Sequence, residues 1–167
     1  MLLFIKMSQI KNKTTLNLIL LFSIFALTIA YFVEYVLGHK PCNLCLIERL
    51  PYVLAIIIIS LGLMLKKFEK TIIIFLILIF VVATIISFYH FGIEQGFFEE
   101  SLVCKLDNNI TNLSKDELLK ELQKETISCK DVSFRVFGFS LATINTIISL
   151  ILSVINIKLF FNYEKNK

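Results

Sequence analysis

Four stretches of this chain stay apolar for about 20 residues each, and this constrains the fold more than any other feature. They cover residues 16–37, 46–65, 71–93 and 136–161. A helix rises about 1.5 Å per residue, so about 20 residues cross the roughly 30 Å hydrocarbon layer of a bilayer. A soluble domain of 167 residues has no core large enough to hide four such runs, so lipid must solvate them. In lipid every backbone N–H and C=O needs a partner inside the structure, which leaves helices and closed barrels. The runs are continuously apolar and lack the alternation of barrel strands. The expected fold is an all-α membrane protein, a four-transmembrane-helix bundle forming one domain over residues 1–167. Composition agrees: 57% of residues are hydrophobic and 18% charged, against about 45–50% and 25% in soluble domains.

Lysine placement sets an orientation. Lys6, Lys11 and Lys13 precede the first run, Lys66, Lys67 and Lys70 join the second to the third, and Lys158, Lys165 and Lys167 close the chain. Segments rich in Lys and Arg near span ends stay cytoplasmic, so both termini are expected inside. Residues 38–45 and 94–135 then fall outside, and the longer of these carries more carboxylates than basic groups. The net charge of +4 has no basic stripe interleaved with aromatics, so no nucleic-acid partner is expected. The first run also has a basic start and Thr28 and Ala30 ahead of Tyr31, loosely like a signal-peptide cleavage site. Its apolar core exceeds the usual 7 to 15 residues or so, and it is read as a retained span.

All four cysteines, Cys42, Cys45, Cys104 and Cys129, lie in the two outer stretches, although cysteine took no part in assigning them. In an oxidising compartment an even number of cysteines points to disulfides. Cys42-Asn43-Leu44-Cys45 closes too short a loop to stabilise as a crosslink, which favours a redox-active or metal-binding pair. Leu46 follows it where a c-type haem site requires His. Zinc remains open, since the four cysteines, with His39 or His90 as substitutes, supply enough ligands. A static disulfide also remains open. Position favours redox: Pro41 and the pair open the second span, where unsatisfied amides and the helix dipole stabilise a thiolate.

If that helix is continuous, Cys42, Cys45 and Arg49 share one face. An arginine within a span is expensive and marks a functional position. Arg49 either snorkels outward beside Glu34 or Glu48, or stabilises the Cys45 thiolate. Pro51 removes the donor for the Ile47 carbonyl and should kink the helix, opening a slot beside Arg49. Cys104 and Cys129, taken alone, read as a loop-closing disulfide. Between them Ser114-Lys115-Asp116-Glu117 resembles a capping box ahead of Leu118, Leu119 and Leu122. A short amphipathic helix on the bilayer surface is expected there, leaving the loop disulfide accessible. Glu34, His39, Glu94 and Asn145 are read as packing or interhelical hydrogen-bonding groups.

Taken together, Cys42-Asn43-Leu44-Cys45 with Glu48-Arg49-Leu50-Pro51-Tyr52, then Tyr89-His90-Phe91-Gly92-Ile93-Glu94-Gln95-Gly96, then Cys104 and Cys129, resemble the DsbB family of disulfide bond formation proteins. Ser140-Leu141-Ala142 and Asn145 extend the likeness into the fourth span; residues 97–103 depart from it, lacking the tryptophan and Gly-Pro that relatives often carry. The resemblance implies a bacterial inner-membrane oxidoreductase with its cysteines facing the periplasm. It implies that a DsbA-like, thioredoxin-fold partner attacks the Cys104–Cys129 disulfide, forming a mixed disulfide through Cys104 that Cys129 or Cys42 resolves. Electrons then pass to Cys42 and Cys45 and on to a membrane quinone, ubiquinone or menaquinone. Cys45 is the implied quinone contact, Arg49 orients the quinone, His90 assists, and no resident metal is implied. Two alternatives remain: a vitamin K epoxide reductase-like enzyme, whose C-x-x-C normally lies in the last span, and a non-catalytic scaffold with structural disulfides or zinc.

Overall fold

The computed structural model describes residues 2–65, 69–100, 104, 128–130, 134–136 and 138–165. The expected amphipathic helix near Ser114, and Lys66 and Lys67, lie outside the described residues. The chain forms α1 (Leu2–Tyr35), a short α2 (Asn43–Ile47), α3 (Leu50–Leu65), α4 (Glu69–Glu94) and α5 (Leu141–Lys165). Among the described residues, four segments are long and apolar enough to cross a membrane: Lys13–Tyr35, Asn43–Met64, Lys70–Glu94 and Leu141–Lys165.

The helices pack α1 on α3, α3 on α4, α4 on α5 and α5 on α1, closing a ring, with the α4–α5 seam the most extensive. Small polar residues explain that seam. Ser87 on α4 and Ser149 and Ser153 on α5 are buried, and Thr84 Oγ1 lies 3.5 Å from Ser153 Oγ. Without a hydrophobic drive between helices in lipid, close backbone approach over small side chains holds such seams together. Large apolar side chains such as Leu21, Leu78, Ile85 and Leu150 face outward, the inverse of a soluble surface. One interior cluster, including Leu16, Tyr52, Ile73, Phe80 and Leu152, fills the bundle. A second, of different make-up, gathers Cys42, Leu44, Ile93, Cys104 and Cys129.

Two local features shape the site, an interruption near the kink expected at Pro51 and a late start of the fourth span. The second span is broken between α2 and α3: Glu48 caps α2, its N–H bonding Leu44 O at 2.9 Å, and Arg49 N bonds Leu46 O at 3.2 Å in a tightened turn. Pro51, which lacks the amide that would meet the Ile47 carbonyl, sits in the first turn of α3, where it is well tolerated. The fourth helix also starts at Leu141, five residues later than the apolar run begins. Ahead of it β1 (Arg135–Val136) pairs antiparallel with β2 (Phe139–Ser140), Arg135 opposite Ser140, with Gly138 at φ +87° in the turn. Ser140 then caps α5, its hydroxyl accepting from Thr143 N at 3.1 Å, as short hydroxyl residues do at helix starts.

Helix α4 ends in a Schellman turn: Phe97 N bonds Gly92 O at 2.8 Å, Gly96 N bonds Ile93 O at 3.0 Å, and Gly96 takes φ +78°. That left-handed position suits glycine. The turn folds the following segment back against α4, where Phe98 stacks on Tyr89 with ring centroids 5.6 Å apart. A Cβ on Gly92 would collide with the Phe98 ring.

Candidate active site

The local chain at Cys42 prepares an anion site. Cys42 is the N-cap of α2, with extended backbone (φ −74°, ψ 169°), and its sulfur accepts from Cys45 N at 3.3 Å. The two sulfurs lie 2.8 Å apart and are not bonded to each other. Hydrogen bonding from the Cys45 thiol, aided by His90 and opposed by burial, holds the Cys42 thiol down at about 5 from its ordinary 9.0. Cys42 is therefore the thiolate of the pair, with Cys45 as its thiol donor.

His90 stands on the inner side of Cys42, almost fully buried. Its Nε2 lies 3.5 Å from Cys42 Sγ and its Nδ1 lies 2.7 Å from Glu48 Oε1. Glu48 Oε2 accepts from Asn145 Nδ2 at 2.8 Å; the same amide reaches Ser87 Oγ at 2.7 Å, and Asn145 Oδ1 accepts from Tyr52 OH at 2.5 Å. Polar groups from α4 and α5 thus converge on one carboxylate, and Tyr52 of α3 joins the network through Asn145. Glu94 extends the network: its Oε1 stands 3.9 Å from His90 Nε2, and its Oε2 accepts from the Ser140 hydroxyl.

Cys104 and Cys129 form a disulfide with Cα atoms 5.8 Å apart. Glu100 draws the two ends together, its Oε1 accepting from Lys130 N at 3.1 Å and from the Ser128 hydroxyl. The bond is buried against Cys42, Leu44 and Ile93. That differs from the accessible loop disulfide expected from sequence, because a disulfide is an apolar group and this end of the bundle offers it Leu44 and Ile93. Both cysteine pairs therefore sit in one cluster, and a set of four cysteine ligands for zinc does not form, since two of the sulfurs are spent on each other.

On the far side of the pair lies a cavity of about 260 Å³ between α1, the α2–α3 break and α5. Phe22, Phe25, Val33 and Ile148 make its apolar walls, while Cys45, Glu48 and Arg49 stand at its polar end. Arg49 pairs with Glu34, and its guanidinium lies 5.0 Å over the Tyr31 ring.

The sequence family described as "Disulfide bond formation protein DsbB" matches residues 12–159. The chain belongs to the DsbB family. A multi-pass membrane oxidoreductase of disulfide bond formation is the activity this membership carries. The chain is also similar to an uncharacterized protein of Rickettsia prowazekii (strain Madrid E), 28% identical over 155 residues, covering 91% of this chain and 90% of that protein. No solved structure matches the chain.

Within this DsbB-family chain the structure gathers five of the six sequence-selected residues, Cys42, Cys45, His90, Cys104 and Cys129, at one end of the bundle. Arg49 stands apart from them at the cavity with Cys45, and His90 is not among the residues that line it. His39 lines the cavity, its ring 5.1 Å from that of Phe134. Sequence reasoning missed Glu48 as the centre of the network, treating it only as a partner for Arg49. The available signal was adjacency: neighbouring residues on a helix do not face each other, so two opposite charges side by side in a span serve two different surfaces.

Proposed function

We propose that this protein reoxidises a DsbA-like, thioredoxin-fold partner and passes the electrons to a membrane quinone, working in a bacterial inner membrane with its cysteines on the periplasmic side. The observation that carries this reading is the position of the Cys42–Cys45 pair. Cys42 packs with the Cys104–Cys129 disulfide on one side while Cys45 lines the cavity on the other. One pair thus shares a buried cluster with an electron source and lines a place for an acceptor. The distribution of Lys near the span ends supports the orientation.

The chemistry proceeds by thiol–disulfide exchange. A partner thiolate attacks Cys104 Sγ, forming a mixed disulfide and releasing Cys129 as the thiolate. The partner's second thiol displaces Cys104 and leaves with a disulfide. The Cys104 and Cys129 thiols then reduce a Cys42–Cys45 disulfide to the thiol pair described above. When that pair closes again, it gives up two electrons and the Cys45 thiol proton, and the second proton a quinone takes comes by way of His90 and Glu48.

A quinone fits the cavity: the apolar walls suit a ring, the volume is near the low end of small-molecule sites, roughly 300 Å³, and Arg49 offers donors at the polar end. The quinone supplies a two-electron, two-proton acceptor. Cys45 places its sulfur at the cavity wall, and the Cys42 thiolate stands 2.8 Å behind it, so the two sulfurs are close enough to bond when an acceptor in the cavity takes the pair's two electrons. His90 and Glu48 provide a proton route, since Nε2 faces Cys42, Nδ1 faces Glu48, and Glu48 reaches the cavity.

The test is loss of quinone absorbance driven by a reduced thioredoxin-fold partner, with purified protein and ubiquinone or menaquinone. Cys45→Ser is expected to abolish quinone reduction, and wild-type turnover in that variant would overturn the assignment. Cys104→Ser is expected to block oxidation of the partner while sparing quinone reduction by small dithiols.

A further inference from the structure

We propose that the reduced Cys42–Cys45 pair and His90 form a binding site for a soft divalent cation of the zinc class, which captures the protein in its dithiol state. Cys42 Sγ, Cys45 Sγ and His90 Nε2 all lie within 4.8 Å of one another. The donor set, two sulfurs and one imidazole nitrogen, selects zinc-like cations over magnesium or calcium, which take oxygen ligands. A C-x-x-C at a helix start, with Cys45 N bonded to Cys42 Sγ, already points both sulfurs to one side.

The arrangement around His90 distinguishes this site from an ordinary thiol pair. Glu48 Oε1 accepts from Nδ1 at 2.7 Å, which places the neutral ring's lone pair on Nε2, facing Cys42. Glu48 is itself held by Asn145 at 2.8 Å. A carboxylate that orients an imidazole from behind is the usual outer shell of a zinc-bound histidine. Glu94 Oε1 stands 3.9 Å from Nε2 but is not within reach of all three donors, so the fourth tetrahedral position is left open, as in three-ligand zinc sites. Two thiolates at about 2.3 Å from zinc stand roughly 3.8 Å apart in a tetrahedron, so the sulfurs separate from their present 2.8 Å by small side-chain rotations. Binding displaces the Cys45 thiol proton and the proton between Nε2 and Cys42, and uses both sulfurs and Nε2, the groups that the electron-transfer step needs. A Cys42–Cys45 disulfide offers no thiolate, so capture is confined to the reduced form.

The site stands whether or not a quinone is the acceptor, and its test needs neither quinone nor partner. Full-length protein in detergent is titrated with Co²⁺ as a spectroscopic probe and then with Zn²⁺ in competition, before and after reduction. The expected result is one Co²⁺ per reduced chain, with thiolate-to-metal charge-transfer bands that Zn²⁺ abolishes, and no such bands in the oxidised chain. A Cys104→Ser/Cys129→Ser variant should retain the site, and in that background His90→Ala and Glu48→Gln should each weaken Zn²⁺ binding by about 10- to 100-fold. The proposal is overturned if the reduced wild-type chain binds no Co²⁺, if His90→Ala binds with unchanged affinity and spectrum, or if Cys42→Ser/Cys45→Ser binds as wild type does. The comparison of oxidised and reduced wild type involves no substitution and so decides the matter even where a variant misfolds.

Discussion

Glu48 and Arg49 are adjacent in the chain and serve opposite sides of the site: Glu48 bonds His90 and Asn145 inside the bundle, while Arg49 pairs with Glu34 and covers Tyr31 on the α1 side. The break before α3 makes this divergence possible. An acid committed to His90 can serve the thiolate side, and a cation committed to α1 can serve the cavity.

Removing the acid should therefore be felt in both stability and turnover. Glu48→Ala leaves His90 Nδ1 and Asn145 Nδ2 without their carboxylate, and each orphaned buried donor costs about 1–3 kcal/mol. We expect a loss of roughly 2–4 kcal/mol in detergent denaturation curves. Glu48→Gln should cost less stability while slowing quinone reduction by about 10² or more, the scale of a lost proton-transfer group. Full turnover in Glu48→Gln would remove Glu48 from the proton route.

Arg49 should act on the acceptor side alone. Arg49→Gln is expected to lower kcat/KM for quinone by about 10- to 100-fold, matching a lost charge-assisted hydrogen bond of about 1.5–3 kcal/mol. Exchange between Cys104–Cys129 and the partner, followed by trapping the mixed disulfide, should be unchanged. Equal damage to both half-reactions would show that Arg49 is structural.

Gly92 predicts the reverse pattern. In Gly92→Ala the new methyl meets the Phe98 ring, which must leave its stack on Tyr89 and disturb the segment leading to Glu100 and Cys104. Partner oxidation should fall severalfold while small dithiols still drive quinone reduction. Paired assays with the two reductants read this directly.

The Cys42 thiol gives a pH signature. Its folded value of about 5 lies below the ordinary 9.0, so the folded state favours the thiolate. The resulting stability is complete above about pH 9, declines as pH falls, and is gone below about pH 5. Thiolate absorbance of the protein with Cys104–Cys129 intact should persist through neutrality and disappear near the lower value. In His90→Ala the transition should move upward, because one group that favours the thiolate is gone. A single transition near the ordinary value in wild type would contradict the hydrogen bonding described for Cys42.

The helical membrane fold was legible from the chain because hydrophobic length is a local property: about 20 apolar residues in lipid have one economical backbone solution. Cys42, Cys45 and Arg49 stood out for a similar reason, since a close cysteine pair and a charge beside or inside apolar runs are conspicuous in one dimension. The expected single face for Cys42, Cys45 and Arg49 presumed an unbroken helix, and the turn at Glu48 and Arg49 ahead of Pro51 removes that premise. The start of α5 was misplaced because residues 136–140 are apolar enough to pass as helix, and only cross-strand pairing with a capping serine reveals the hairpin.

The sequence by itself determined four spans, a proline at the second helix's start and four cysteines in the connecting segments. Tertiary structure decided that Glu48 belongs to His90, that Asn145 joins three helices, that the loop disulfide is buried beside Cys42, and that Cys45 meets a cavity. The physical reason is range. Hydropathy and capping act within a few residues, whereas the Glu48–His90 contact spans 42 positions and the Glu48–Asn145 contact 97, and only packing of α3, α4 and α5 selects those partners.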